Sequence, residues 1–313
     1  MNQCIAVILP AYNEEITIQN VIVEFHRALP EAAIYVINNN SKDRTAELAA
    51  ATLAKIGCTG GVINEYRQGK GNALRRAFHE IDADIYVLAD ADLTYPAGRA
   101  RDLIAPIVEG RADMVVGDRH SGGHYSEQNK RKLHGLGNYL VKNMINLFFR
   151  SSLKDIMTGY RVFNRSFVKN YPILVAGFQI ETDMTLHALD KRFKIVEIPV
   201  EYVDRPVGSF SKLNTLSDGT RVIFTILHIL RYYRPLAFFG AIAFMMMVIG
   251  LMVSIPVFQD WITHRYIYHV PLAILAAACE IVAVTTLSIG LVLDSITHQE
   301  KMNYELRLLS KCH

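Results

Sequence analysis

Cysteine is scarce and scattered in this chain. The four in 313 residues (Cys4, Cys58, Cys279 and Cys312) form no C-x-x-C pair. A disulfide framework or a zinc site is left without support, and reduced thiols in a cytosolic domain are expected. An excess of one charge is also missing. Lys and Arg number 33 against 30 Asp and Glu, a net charge of +3 with no long basic run, so nucleic acid is not an expected partner. No signal peptide is expected at the start, because IAVIL at 5–9 is too short for an h-region and runs straight into Pro10. The soluble part is therefore expected to remain in the cytoplasm. Hydrophobic residues make up 51% of the chain, with the excess after about residue 220, as for a soluble front and an apolar tail.

From Ile5 to about Val203, short apolar runs alternate with segments of helical spacing. IAVIL (5–9), IYVI (34–37), IYVLA (85–89) and DMVVG (113–117) read as buried strands, and 15–28, 44–56, 70–81 and 99–109 as helices between them. This alternation predicts an α/β unit with a mostly parallel, Rossmann-like sheet. Ligands of such sheets bind at the carboxyl ends of the strands.

The tail reads differently. In 217–233, Ile223, Ile226, Leu227 and Leu230 share one helical face while Arg221, Thr225, His228 and Arg231 fall on another. An amphipathic interfacial helix is expected over 216–234. Two apolar runs of 24 residues follow, 235–258 and 270–293; each would extend about 36 Å as a helix, enough to cross a bilayer. Arg221, Arg231 and Arg234 precede the first run, and Lys301, Arg307 and Lys311 follow the second. The positive-inside rule then places both chain ends in the cytoplasm, with 294–313 as a cytosolic tail. Glu280 lies near the middle of the second run. Such an acid is costly in lipid; helix packing is its first reading, and pairing across subunits, which would make a homo-oligomer, is another.

Candidate chemistry clusters at strand ends. Asp90-Ala91-Asp92 follows IYVLA. Residues two apart in extended chain point the same way, so both carboxylates can converge on one hard divalent cation such as Mg2+ or Mn2+. That ion would stabilise the charge on a departing nucleoside diphosphate. Pro10-Ala11-Tyr12-Asn13-Glu14-Glu15 follows the first strand; it reads either as a helix cap or as a nucleotide cradle. Asn38-Asn39-Asn40 suits a turn or a base-reading segment, and Gly69-Lys70-Gly71 resembles a phosphate-binding turn.

P-A-Y-N-E-E, N-N-N-S-K-D-R-T, G-K-G-N-A-L and D-A-D-L occur here in that order. They are joined by Gly117-Asp118-Arg119, Asp155 to Arg161, G-F-Q-I-E-T-D at 177–183 and Arg205 to Lys212. Together they resemble family 2 glycosyltransferases of the dolichyl-phosphate mannose and glucose synthase branch, over about residues 3–215. The resemblance implies a GT-A (nucleotide-diphospho-sugar transferase) fold in a cytosolic domain, 1–215. It also implies an inverting, metal-dependent transfer from a nucleotide-sugar to a polyprenyl phosphate. It puts Pro10, Tyr12, Glu14, Asn39, Lys70, Asp90 and Asp92 at the nucleotide-sugar, with Asp90 and Asp92 also serving the metal. Arg119, Arg131, Arg205 and Lys212 would hold phosphates, and Glu181 or Asp183 would border the sugar. Asp92, Asp183, Glu181 and Arg205 are the residues expected closest to catalysis. Asn38-Asn39 stands in place of the usual Asp-Asp, and Thr94 where mannose synthases often carry Gln. The base, uracil or guanine, and the hexose stay open.

A lipid phosphate is largely deprotonated at neutral pH, its second pKa being about 6. It needs cations more than a general base, and Lys130-Arg131-Lys132, Arg161, Arg205 and Lys212 are candidates. The glycine-bearing stretch 120–130 reads as a lid or as an exposed loop. A neutral glycolipid or glycan acceptor is one alternative; a non-catalytic nucleotide-sugar-binding membrane protein is another. The Q-x-x-R-W motif usual in processive synthases is absent, since Trp261 is the only tryptophan.

Overall fold

The computed structural model describes residues 3–121, 132–177, 179–203, 227 and 229–310. The chain divides into two compact units, Met1–Asp218 and Gly219–His313.

The first unit alternates strands and helices: β1 (Ile5–Ala11), α1 (Ile18–Ala28), β2 (Ala33–Asn38), α2 (Thr45–Ile56), β3 (Gly60–Asn64), α3 (Lys70–Glu80), β4 (Ile85–Leu88), α4 (Ala100–Val108) and β5 (Met114–Asp118). Then come α5 (Lys132–Phe149), β6 (Arg161–Asn164), α6 (Arg165–Asn170), α7 (Ile180–Asp190) and β7 (Ile195–Pro199). Among the described residues the strands form one sheet in the order β3-β2-β1-β4-β6-β5-β7. β3, β2, β1 and β4 run parallel, as β5 and β7 do, whereas β6 is antiparallel to both its neighbours.

The period of two in each strand sorts side chains into two cores. Val7 and Leu9 join Val36, Val87, Ile22 and Phe25 on one face. Ala6 and Ile8 join Tyr86, Leu88, Leu74 and Phe78 on the other. Both faces being covered there, β1 and β4 are apolar throughout rather than alternating. α1 buries Ile18, Val21, Ile22 and Phe25, the i, i+3, i+4, i+7 stripe of a helix packed on a sheet. α2 ends where Gly57 takes a left-handed φ of 67° and donates its N–H back to Leu53 and Ala54 carbonyls.

The four expected strands appear as β1, β2, β4 and β5, and the mostly parallel sheet is as anticipated. β3, β6 and β7 were not anticipated. β3 opens on two glycines and β6 on an arginine, so neither carries an apolar run. β1 also runs through Pro10 to Ala11 instead of ending at the proline, with Pro10 in register with Ile37. Proline lacks only the donor, and one missing donor near a strand's end is tolerated.

The second unit contains α8 (Pro235–His264, 30 residues) and α9 (Val270–Ser310, 41 residues). Both are long and apolar enough to cross a membrane. They outrun the 24-residue stretches from which they were anticipated, α9 continuing as helix to Ser310. Large apolar side chains such as Phe244, Ile274 and Ile281 are exposed, whereas the buried positions include Ala243, Gly250, Ala276 and Ala283. Small residues there let two helices approach closely. Glu280 faces Gly250: a Cβ on that glycine would lie 2.6 Å from Glu280 Oε1. The connecting turn is closed by Asp260 Oδ2, which accepts the Tyr268 and His269 N–H groups at 2.8 and 3.0 Å. The amphipathic segment expected at 216–234 lies mostly outside the described residues, of which 229–233 are helical.

Candidate active site

The carboxyl ends of β1, β2 and β4 lie side by side, and the loops leaving them are laced together. Asn13 N–H donates to Ser41 Oγ at 3.1 Å, Lys42 N–H to Asn13 Oδ1 at 2.8 Å and Glu14 N–H to Thr45 Oγ1 at 2.8 Å. Thr17, fully buried, donates its hydroxyl to the Ala91 carbonyl at 2.7 Å. The Tyr12–Glu14 segment is thereby fixed beside Asp90-Ala91-Asp92. Tyr12 and Glu14 themselves are half-buried. The capping expected of this segment is not realised by its side chains: α1 is entered at Thr17 without a side-chain cap, and the Ile18 N–H donates to the Glu14 backbone carbonyl at 2.9 Å.

Lys70 lies at the centre. Its Nζ is 2.5 Å from Asp90 Oδ1 and 2.5 Å from Glu181 Oε1. Burial disfavours the charged amine, but the two carboxylates outweigh it and hold the Lys70 pKa above the ordinary lysine value. The helix start carrying Lys70 is pinned by close backbone approach. Gly71 N–H donates to the Ala176 carbonyl at 2.9 Å. A Cβ at Gly71 would lie 2.0 Å from the Val175 carbonyl oxygen, and one at Gly69 2.1 Å from that of Ala176. Gly69, at φ +126°, donates its N–H to Asn39 Oδ1 at 2.7 Å. The amides of Gly69 and Gly71 thus have protein acceptors, which departs from the open phosphate-binding turn that the G-K-G spacing suggested.

Asp92 is 3% exposed, and its Oδ1 accepts the Thr94 hydroxyl at 2.5 Å. Asp90 Oδ2 faces Gly159, where a Cβ would come within 2.5 Å of it. Gly159 is held there by its N–H donating to Tyr95 Oη at 2.9 Å. Asp183, on the first turn of α7 with Glu181, accepts the Tyr171 hydroxyl at 2.6 Å. Arg119 makes a two-point contact with Asp155, Nε to Oδ2 at 2.7 Å and Nη2 to Oδ1 at 2.9 Å. Asp155 is in turn positioned by its own N–H donating to Glu197 Oε1 at 2.9 Å.

One sequence-derived candidate is corrected. Arg161, expected among the cations for a lipid phosphate, is fully buried. Its guanidinium donates to the Thr158 and Ile156 carbonyls at 3.0 and 2.5 Å and to Thr185 Oγ1 at 2.9 Å. It shapes the loop that carries Gly159 and is not open to a ligand. Arg131, Arg205, Lys212 and the 122–130 part of the suggested lid lie outside the described residues. The contacts that sequence reasoning missed are the Lys70 bridge and the pairing of Arg119 with Asp155; residues so far apart in the chain carry no local spacing signal. Among the described residues no three His, Cys, Asp or Glu side chains gather as a metal cluster.

The family model for glycosyl transferase family 2 matches residues 6–171. Glycosyltransferase AglJ of Haloferax volcanii is 30% identical over 301 residues, 95% of this chain and 96% of that one. A dolichyl-phosphate hexose transferase of the same organism is 26% identical over 218 residues, 70% of this chain and 90% of that one. Among solved structures, glucosyl-3-phosphoglycerate synthase of Mycobacterium tuberculosis, in complex with Mn2+, uridine diphosphate and phosphoglyceric acid, is similar with a TM-score of 0.55 at 21% identity. That match covers 73% of this chain and 78% of that one. The fold is the anticipated GT-A type. With more than half its length matched by the family model and a relative aligned nearly end to end, this chain belongs to glycosyl transferase family 2 and is a glycosyltransferase.

Proposed function

We propose that this enzyme transfers a hexose from a UDP- or GDP-linked donor to a polyprenyl phosphate at the cytoplasmic face of a membrane. The observation that carries the reading is one chain holding Asp90-Ala91-Asp92 at the carboxyl end of β4 and two helices long and apolar enough to span a bilayer. An acceptor resident in the membrane suits an enzyme tethered there. The dolichyl-phosphate hexose transferase relative supports the same acceptor class.

Donor-side roles follow from position. Pro10, Tyr12, Glu14 and Asp90 border the nucleotide, and Lys70 offsets the acids facing the diphosphate. The donor set suits Mg2+ or Mn2+. Such ions are held by one or two carboxylates plus waters and substrate phosphates, without a three-residue protein cluster. Asp92 and Asp90 would hold the ion, and the Asp90 side chain, 28% exposed, is open to it. When bound, it would supply Lewis-acid stabilisation to the leaving diphosphate.

Transfer is a direct displacement. An acceptor phosphate oxygen forms the new bond to the anomeric carbon as the bond to the donor diphosphate breaks, inverting the centre. Since the acceptor oxygen is already charged, Glu181 and Asp183 serve to position the sugar. Lys70 and Tyr171, which hold their oxygens, orient them for that role. Arg119, Arg131, Arg205 and Lys212 steady the acceptor phosphate against the donor's like charge. In this reading 235–258 and 270–293 span the bilayer, while 1–215 and 294–313 face the cytoplasm.

The test is a purified full-length enzyme incubated with Mg2+ or Mn2+, a panel of nucleotide-sugars, and polyprenyl phosphate or neutral glycolipid acceptors. A sugar-phosphate-lipid product, lost with EDTA, is expected. Product from the neutral acceptor alone, or donor binding without turnover, would overturn the proposal.

A further inference from the structure

Asn39 occupies the position at which relatives were expected to read the nucleobase. Its surroundings assign it other work. The side chain is 4% exposed. Nδ2 donates to the Arg67 carbonyl at 2.7 Å and to the Glu65 carbonyl at 3.4 Å, and Oδ1 accepts the Gly69 N–H at 2.7 Å. Both faces of the amide are engaged with one loop, 65–69. The backbone reinforces the clamp: Asn39 N–H donates to the Ala11 carbonyl at 2.8 Å and Glu65 N–H to the Asn38 carbonyl at 2.9 Å.

The loop it grips leads directly into Lys70. Gly69 is the residue before α3, and the following side chain bridges Asp90 and Glu181. A second brace comes from within the loop, where Glu65 binds Arg67 through Nε and Nη2, both at 2.9 Å. Only an amide fits the Asn39 site at neutral pH. A carboxylate of the same shape would turn an acceptor toward two carbonyl oxygens.

We propose that Asn39 is a positioning residue, setting the register of Lys70 between Asp90 and Glu181 through loop 65–69 and leaving the choice of nucleobase to other groups. The inference rests on the nucleotide-sugar transferase reading above.

The test compares wild type with Asn39→Asp and Asn39→Ser as full-length enzymes. Turnover is measured with UDP- and GDP-linked hexoses, alongside hydrogen–deuterium exchange over 65–70. A misplacement of about 1 Å costs on the order of 100-fold in rate. Both variants are therefore expected to lose about tenfold to 100-fold in kcat, with donor KM and the UDP-to-GDP preference nearly unchanged. Exchange over 65–70 should quicken. Asn39→Asp should regain part of its loss relative to wild type as pH falls toward about 5.5, because a protonated carboxyl again offers a donor. The charged groups around that site are Glu65, Arg67 and Lys70, so their wild-type profile is the reference. A switched base preference with turnover retained, or unchanged kcat and exchange in both variants, overturns the proposal. Wild type inactive on every donor would instead sink the transferase reading, and the exchange measurement would still decide the clamp.

Discussion

Lys70 and Glu181 stand 111 positions apart in the chain, yet Lys70 Nζ lies 2.5 Å from Glu181 Oε1. The same ammonium lies 2.5 Å from Asp90 Oδ1. One cation therefore ties the end of β4 to the first turn of α7, across the site.

Removing that cation should leave two acids facing each other in a largely desolvated place. Lys70→Met is expected to lower stability by about 3–5 kcal/mol, the usual cost of breaking a buried pair, and to abolish transfer. Denaturant unfolding checks the first part. Adding Glu181→Gln to Lys70→Met should recover part of the lost stability; a double variant no more stable than the single one would contradict the bridge.

Two glycines separate folding from chemistry. At Gly71 a methyl group would strike a backbone carbonyl at 2.0 Å, whereas at Gly159 it would strike the carboxylate end of Asp90 at 2.5 Å. Gly71→Ala should cost about 1–3 kcal/mol or more, as overpacking does. Gly159→Ala should keep most of the stability and lose most of the activity, because the carboxylate can swing aside. Melting temperatures and turnover of the two variants check the contrast.

His187 predicts the behaviour of the enzyme domain in acid. Burial among Phe167, Tyr171 and Phe193 pulls its pKa down to about 4. The unfolded chain takes up a proton near pH 6.5 and the folded one resists until about pH 4. The neutral ring's contribution is thus complete above about pH 6.5 and is lost as pH falls toward 4, by up to about 3 kcal/mol. His187→Gln should show a shallower fall in stability over that window, measured by unfolding at a series of pH values.

The carboxylate of Asp92 is buried and oriented by Thr94. Asp92→Asn preserves the shape and removes the charge. Turnover should fall by about 100-fold or more, the scale of losing a major electrostatic stabiliser. EDTA should silence wild type, and excess Mn2+ should restore it. Equal rates with and without chelator would refute the metal's role.

Much of this molecule was legible from local pattern. Apolar runs rich in β-branched residues at 5–9, 34–37, 85–89 and 113–117 are strands because a sheet covered on both faces needs apolar side chains on both. The two long C-terminal helices were equally plain, since 24 apolar residues have few other uses. β6 was not legible. It is four residues long, and its first residue, Arg161, is a charged side chain that the fold buries by surrounding it with carbonyls.

The sequence by itself determined the class of the sheet, the two apolar helices and the acids at the end of β4, because each depends on residues near one another in the chain. Only the tertiary structure decided which cations meet which acids. Lys70 with Glu181, Arg119 with Asp155 and Arg161 with the Thr185 hydroxyl are contacts between distant segments. Electrostatic pairing of that kind depends on distance in space and burial, neither of which spacing along the chain records.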